Sequence, residues 1–240
     1  MYLMLLEVCI DDAFGLRSAI EGGADRIELC SALGTGGLTP SAGMMALAAE
    51  QSVPSYVMIR PRPGNFVYSG ADIDVMLRDI DGVRAAGLAG VVLGANRPDG
   101  ALDVALLQRL VSHSQGLGMT LHRAIDLVED FDEAVEAGIT LGFERILTSG
   151  GARTALEGIE VIRRAVETAA GRISILPGSG ISAETVGPLL DIAGIVEFHG
   201  SCSVAVEGTP GRAREFGFST AVEKRTSLDK VRALKTRISG

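Results

Sequence analysis

The sequence has no tryptophan, and its aromatic residues amount to only 4% of the 240 positions, so any core must be built mainly from aliphatic side chains. Positive charge is also in deficit, with 22 Lys and Arg residues against 30 Asp and Glu residues. The resulting net charge of −8 argues against a nucleic acid as the main partner, because such surfaces are usually basic.

Cysteine is scarce, and long apolar runs are absent. Cys9, Cys30 and Cys202 form an odd set without a Cys-x-x-Cys pair, which is typical of reduced thiols rather than of a disulfide framework. No apolar run approaches the roughly 18 residues of a membrane span. Glu7 interrupts the apolar start of the chain, and no basic segment precedes it, unlike in a signal peptide. We therefore predict a cytoplasmic protein without membrane contact.

Glycine is abundant, with 31 residues, and it marks a repeated pattern. In four places a glycine at the end of a predicted helix is followed by a short apolar strand, as in 22–29, 87–93, 142–147 and 194–198. Eight such strand–helix units predict a parallel sheet, and eight is the number that closes a (β/α)8 TIM barrel. An open doubly wound sheet is the alternative, although no Gly-x-Gly-x-x-Gly follows the first predicted strand.

The sequence shows no internal domain boundary. We expect the barrel to span residues 1–201 and a C-terminal extension to span residues 202–240. The extension is predicted to be polar and irregular until Leu228–Ile238, a basic amphipathic helix. It would pack on the barrel or on a second subunit.

Charged residues collect where the predicted strands end, which is the functional face of such barrels. Glu7 and Cys9 share one face of a strand, and Glu28 and Cys30 share one face of the next, because side chains alternate along a strand. The predicted barrel mouth contains six charged or titratable residues: Glu7, Glu28, Arg60, Arg62, His122 and Glu197. Candidate acids or bases for catalysis are Glu7, Glu28, His122 and Asp126.

Arginines and glycine-rich loops at the same face indicate an anion site. Backbone N–H groups in such loops bind anions, and phosphate sites in this fold often follow the seventh and eighth strands. The candidate anion-binding residues are Arg60, Arg62, Ser149, Gly150, Ser179, Gly180, His199 and Ser201. Two alternatives stay open: the glycines serve only tight turns, and Arg60 and Arg62 form ion pairs with Glu28 and Glu7.

The cysteines give a second interpretation of the same face. In a closed barrel the eighth strand neighbours the first, so Cys202, Cys9 and Cys30 fall on adjacent strand ends. Thiolates select soft metals such as Cu(I). Buried free cysteines, however, are usually small hydrophobic residues.

Motifs along almost the whole chain resemble those of the CutC family, which is named for copper homeostasis. The matching segments are 7–9, 23–30, 36–41, 59–62, 66–69, 90–94, 122–126, 147–150 and 178–181. The chain departs from the family pattern at Pro63-Gly64-Asn65, where Gly-Gly-Asp is common, at Ile125, where Phe is common, and after Cys202. The resemblance implies a (β/α)8 barrel, a cytoplasmic dimer or larger homo-oligomer, and a copper-related role, with Cu(I) binding by cysteine proposed for some members. A metal-dependent nuclease activity has also been suggested.

Two functions follow as expectations. The first is a copper homeostasis protein that binds Cu(I) through Cys9 and Cys30, with Cys202 as a third candidate ligand. The second is an enzyme that acts on a small anionic, phosphorylated or unphosphorylated, metabolite at the barrel mouth. Arg60 and Arg62 favour the second, because a soft cation gains nothing from neighbouring guanidinium groups.

Overall fold

Eight parallel strands form the centre of the molecule. The computed structural model describes residues 4–240; the three residues before them, which begin the predicted barrel segment, lie outside the described range. The strands are β1 (Leu5–Ile10), β2 (Arg26–Leu29), β3 (Ser55–Met58), β4 (Gly90–Leu93), β5 (Gly118–Leu121), β6 (Arg145–Thr148), β7 (Ser174–Pro177) and β8 (Glu197–Gly200). They are hydrogen-bonded in the order β7-β6-β5-β4-β3-β2-β1-β8, which makes a nearly closed barrel.

Helices alternate with these strands and cover the outside of the barrel. They are α1 (Ala13–Gly22), α2 (Ala42–Ala49), α3 (Gly70–Ala85), α4 (Val104–His113), α5 (Phe131–Leu141), α6 (Ile159–Ala169) and the short α7 (Gly187–Leu190). Several begin at a side chain that accepts a free backbone N–H: Asp12 caps α1, and Ser69 with Asp72 forms a capping box at α3. The predicted (β/α)8 architecture is confirmed.

The strand register decides which side chains enter the barrel. Glu7 of β1 lies opposite Arg26 of β2 and His199 of β8, and Cys9 lies opposite Glu28. Because side chains alternate along a strand, the neighbouring apolar residues Leu6, Val8 and Ile10 join the core beneath the helices. The charged faces of β1, β2 and β8 therefore point inward, as the alternation of the sequence predicts.

The segment after β8 differs from the sequence expectation. It was expected to be irregular up to Leu228, but it contains β9 (Ser203–Glu207), α8 (Arg212–Glu215) and β10 (Val222–Thr226), with β9 and β10 paired as an antiparallel hairpin. That expectation is wrong because β9 is short and only half-buried, and β10 has a single apolar residue, so β10 lacks the apolar alternation that marks a buried strand.

The last helix, α9 (Leu228–Ser239), occupies the place of an eighth barrel helix. It packs on α1, where a side chain added at Gly22 would come within 2.5 Å of Val231, and its Leu234 lies against Gly200 at the end of β8. Lys235 Nζ also bonds to Asp25 Oδ2 at 2.6 Å. The C-terminal helix thus covers β8 and β1 within the same chain.

Candidate metal centre and barrel-mouth cavity

An ion network fills the lower part of the barrel. Arg26 forms ion pairs with both Glu7 and Glu197, and Arg145 Nε lies 3.5 Å from Glu197 Oε2. The guanidinium groups of Arg26 and Arg145 lie 5.6 and 4.7 Å from the ring centre of Tyr56. All four charged side chains are nearly inaccessible to solvent, so each carboxylate requires its guanidinium partner.

Glu7 belongs to this network and is held as a carboxylate. Burial acts to raise the pKa of Glu7, but the Arg26 guanidinium and the hydrogen bond with His199 outweigh burial and lower the pKa to about 2. A carboxyl group that stays ionised and doubly paired is suited to orienting its neighbours rather than to exchanging protons.

His199 lies directly above Glu7. Its Nδ1 is 2.7 Å from Glu7 Oε1, and its Nε2 is 3.8 Å from Glu28 Oε2. Burial acts to lower the pKa of His199, but the neighbouring Glu28 carboxylate and Cys9 sulfur outweigh it and raise the pKa well above the usual value. The contact between Nδ1 and a carboxylate fixes the ring so that Nε2 faces Glu28 and Cys9, as in many histidines that bind metals.

Cys9, Glu28 and His199 form a buried cluster whose potential ligand atoms all lie within 4.8 Å of one another. Within residues 4–240 no other set of three His, Cys, Asp or Glu side chains converges in this way. One sulfur and one imidazole nitrogen are ligands that Cu(I) accepts, so the donor set fits a soft metal ion.

The other two cysteines do not belong to this cluster. Cys30 Sγ lies 3.5 Å from Glu28 Oε2 and packs with Met58 inside the barrel, and Cys202 follows β8 in the outer core. Burial raises the pKa of all three thiols, that of Cys202 to about 12, so each is protonated at neutral pH. A metal that binds Cys9 must therefore displace its proton.

A cavity of about 890 Å³ opens above the cluster at the C-terminal ends of the strands. Its floor and walls include eight side chains or loop residues from six strand ends, and the hairpin of β9 and β10 borders its outer side. The eight residues are Cys9, Glu28, Met58, His122, Arg123, Ser179, Gly180 and His199, with Ser201 at the rim. Seven of the predicted site residues are thereby brought to one cavity: Cys9, Glu28, His122, Ser179, Gly180, His199 and Ser201.

Arg60 and Arg62 do not line the cavity. Arg60 donates to the backbone oxygens of Thr35, Gly37 and Gly64 at 2.8–2.9 Å, and Arg62 pairs with Asp72 at 3.2 Å. The alternative that these arginines form ion pairs with Glu28 and Glu7 is therefore wrong. Loop carbonyls and the first turn of α3 lie nearer to them, because β3 ends at Met58, before Pro61 turns the chain.

Asp126 organises the loop between β6 and α6. Its carboxylate accepts hydrogen bonds from the backbone N–H groups of Ser149 and Gly151 and from the hydroxyl groups of Thr148 and Ser149. It also pairs with Arg123 at 2.7 Å. Ser149 and the adjacent Gly150 are fully used within this loop, whereas Arg123, which sequence reasoning missed, reaches the cavity wall.

His122 is buried at the end of β5, and its two ring nitrogens have different environments. Nδ1 accepts the backbone N–H of Ala124 at 3.1 Å, while Nε2 has no partner among the described residues. Burial lowers the pKa of His122 to about 3, and the nearby Arg60 guanidinium contributes to this shift. The imidazole is therefore neutral, with its proton on Nε2.

The loop after β7 presents backbone donors to the cavity. Among the residues that the structure describes, no acceptor receives the N–H groups of Ser179, Gly180 and Ile181, all of which line the cavity. Ser179 Oγ is occupied, because it donates to Arg153 O at 2.7 Å. The backbone of this loop, rather than its side chain, is available to a ligand.

Comparison with known proteins places the chain in a family. The sequence profile of the CutC family matches residues 4–204. The chain belongs to the CutC family. A CutC family protein of Rhizobium meliloti (strain 1021) is 57% identical over 233 residues, which cover 97% of this chain and 95% of that protein.

Solved structures extend the comparison to the fold. A crystal structure is known for CutC from Streptococcus agalactiae, for which a role in copper homeostasis is proposed. Its sequence is 32% identical to this chain, and the two structures superimpose with a TM-score of 0.78 over 82% of this chain and 98% of that one. A 4-hydroxy-2-oxoglutarate aldolase from TTHB1 is 17% identical, with a TM-score of 0.59 over 98% of this chain and 94% of that one, and shares the fold alone. None of the described helices is long and apolar enough to cross a membrane.

Proposed function

We propose that this CutC family protein binds Cu(I) with Cys9 Sγ and His199 Nε2 as ligands and Glu28 beside them. The observation that carries the proposal is the convergence of these three side chains to within 4.8 Å at the base of an open cavity. Copper enters as cargo, and the cavity gives it a route to the buried ligands.

The donor atoms favour Cu(I) at this position, because the Cys9 thiolate is a soft ligand. The pKa values of the Cys9 thiol and of His199 are both raised, so both proposed ligands carry a proton before the metal binds. The binding of Cu(I) is therefore expected to release up to two protons per ion.

The arginines that argued against copper are engaged elsewhere. Arg60 is bound by three backbone oxygens and Arg62 by Asp72, and neither side chain lines the cavity. Arg26, deeper in the barrel, is neutralised by Glu7 and Glu197. The electrostatic objection that the sequence raised is thereby weakened.

Competition with a chromogenic Cu(I) chelator under anaerobic conditions tests this function. Cys9→Ser should weaken Cu(I) binding at least as much as the loss of an outer-shell partner does, roughly ten- to hundredfold. Cys202→Ser is the matched control, because it removes a buried thiol outside the cluster and should retain the affinity. An affinity of Cys9→Ser equal to that of the unsubstituted protein would refute the site.

A second candidate function is favoured by the free backbone donors after β7. An enzyme that acts on a small anionic metabolite would bind the anion with the N–H groups of Ser179, Gly180 and Ile181, and Arg123 also lines the cavity. A cavity of about 890 Å³ is much larger than a single copper ion needs and is of the size that holds small-molecule ligands.

Titration with inorganic phosphate, followed by amide NMR, tests the anion site. Saturable shifts of the Ser179 and Gly180 amide signals are expected, with chloride at equal ionic strength as the control. If these signals move equally in chloride, or do not move at all, the loop is not an anion site.

A further inference from the structure

Two buried polar atoms without partners lie in residues that line the same cavity. They are Nε2 of His122 and Oε1 of Glu28, and each residue is only 3% exposed. Buried polar side-chain atoms in native proteins are nearly always hydrogen-bonded. Two orphaned atoms beside one cavity therefore indicate a ligand that supplies both partners.

The proton of His122 is fixed on Nε2. Because Nδ1 accepts the Ala124 N–H, it cannot carry the proton of a neutral imidazole. The ring is also held in place: it packs 4.8 Å from the Phe66 ring, and a side chain at Gly94 would come within 2.5 Å of Nδ1. Nε2 is thus a rigid hydrogen-bond donor and requires an acceptor atom from the ligand.

Glu28 has the complementary requirement. Its Oε2 takes the contact with Cys30 at 3.5 Å and lies 3.8 Å from His199, which leaves Oε1 unused. A carboxylate oxygen accepts hydrogen bonds, so the ligand must donate to it through a hydroxyl or similar group.

The charges of the wall limit the overall charge of the ligand. Three cationic side chains, Arg123, Lys224 and Arg225, line the cavity, and they are balanced by acidic side chains that include Asp11, Asp12 and Glu223. A wall of mixed sign offers no net attraction to a polyanion, whereas it accommodates a neutral or singly charged molecule.

We propose that the cavity binds a small hydroxy acid or hydroxy carbonyl compound, with its carbonyl or carboxylate oxygen on Nε2–H of His122 and its hydroxyl on Oε1 of Glu28. This inference deepens the second candidate function, because it names the ligand class of the same cavity. It assigns His122 the role of a neutral donor that holds an oxygen atom.

The first experiment is a long-range ¹H–¹⁵N NMR spectrum of the metal-free protein labelled with ¹⁵N-histidine. The chain has only three histidines, so the His122 signals can be assigned from His122→Asn, with His113→Asn as the matched control. We expect the Nε2–H tautomer for His122 at pH 7. An Nδ1–H tautomer would overturn the proposal.

The second experiment titrates the same sample with glycerate, which carries both a carboxylate and hydroxyl groups. A saturable shift of the His122 Nε2 signal is expected, and His122→Asn, whose Oδ1 still accepts the Ala124 N–H, should weaken glycerate binding about tenfold or more, as for a hydrogen bond to a carboxylate. Glycerol and propionate, which each lack one of the two groups, should bind more weakly. A His122 signal that none of the three probes shifts would overturn the proposal.

The outcome of the glycerate titration can be distinguished from the outcomes of the tests of both proposed functions. The titration uses metal-free protein, so it is independent of Cu(I) binding by Cys9. If phosphate leaves the Ser179 and Gly180 amides unchanged while glycerate shifts His122, the anion site fails and this inference stands. The reverse pattern retains the anion site and refutes the assignment of His122 and Glu28.

Discussion

The buried histidine at the end of β5 should make stability fall on mild acidification. Burial and the Arg60 guanidinium lower the pKa of His122 to about 3, against an opposing effect of Asp126. In the unfolded chain the same group has a pKa of about 6.5. Between these two values the unfolded state binds a proton that the folded state does not, so the stabilising contribution is complete above about pH 6.5 and is lost as the pH falls towards 3.

The size of this effect follows from the two pKa values. Between the two pKa values, each pH unit changes the free energy of unfolding by about 1.4 kcal/mol. Lowering the pH from about 7.5 to 5 covers roughly one and a half pH units of the range between the two pKa values. The free energy of unfolding should therefore fall by about 2 kcal/mol because of His122.

Chemical denaturation at both pH values, with the unsubstituted protein and with His122→Asn, measures this contribution. The variant loses contacts at both pH values. The change in its free energy of unfolding between the two pH values should nevertheless be about 2 kcal/mol smaller than that of the unsubstituted protein, because all other groups titrate in both proteins. An identical pH dependence in His122→Asn and the unsubstituted protein would refute a neutral buried imidazole.

Two further predictions concern the barrel itself. Arg26→Met removes the guanidinium group shared by two buried carboxylates and should reduce the free energy of unfolding by about 3–5 kcal/mol in denaturant titrations. Arg172→Met, which removes a solvent-exposed ion pair, should change it little. Gly22→Ala places a methyl group 2.5 Å from Val231 and should lower stability by about 1–3 kcal/mol, whereas Gly43→Ala in the exposed part of α2 should raise it by about 0.5–1 kcal/mol. A Gly22→Ala variant with unchanged thermal stability would contradict the tight packing of α9 on α1.

Alternation along the strands was enough to place the inward-facing carboxylates. Glu7, Glu28 and Glu197 each lie next to apolar residues that are suited to packing under the helices. Because successive side chains on a strand point to opposite faces, the three carboxylates must point into the barrel. The same rule puts Arg26 on the face of Glu28, but the spacing of residues does not show which carboxylates Arg26 and Arg145 meet. Only closure of the barrel brings these guanidinium groups to the carboxylates of neighbouring strands.

The arginines after β3 mark the limit of the same reasoning. Their spacing of two would put them on one face if the strand continued, but β3 ends at Met58 and the chain turns at Pro61 and Gly64. Beyond the end of a strand, the direction of a side chain depends on the loop and on the carbonyl groups that the loop presents. Arg60 and Arg62 are therefore held by backbone oxygens and by Asp72, which no pattern of spacing indicates.

The polar interior connects the base of the barrel to the candidate site. Arg145 contacts Glu197, Arg26 bridges Glu197 to Glu7, and Glu7 orients His199 beside Cys9 and Glu28. Each member fixes the next, because a buried charge is stable only in the geometry that pairs it. This explains why a barrel with so few aromatic residues contains charged side chains where apolar ones would stabilise it more simply: the network holds one imidazole nitrogen towards a thiol at the floor of an open cavity. A ligand site assembled in this way is set by the whole barrel, and substitutions at its base should alter the position of His199 without touching it.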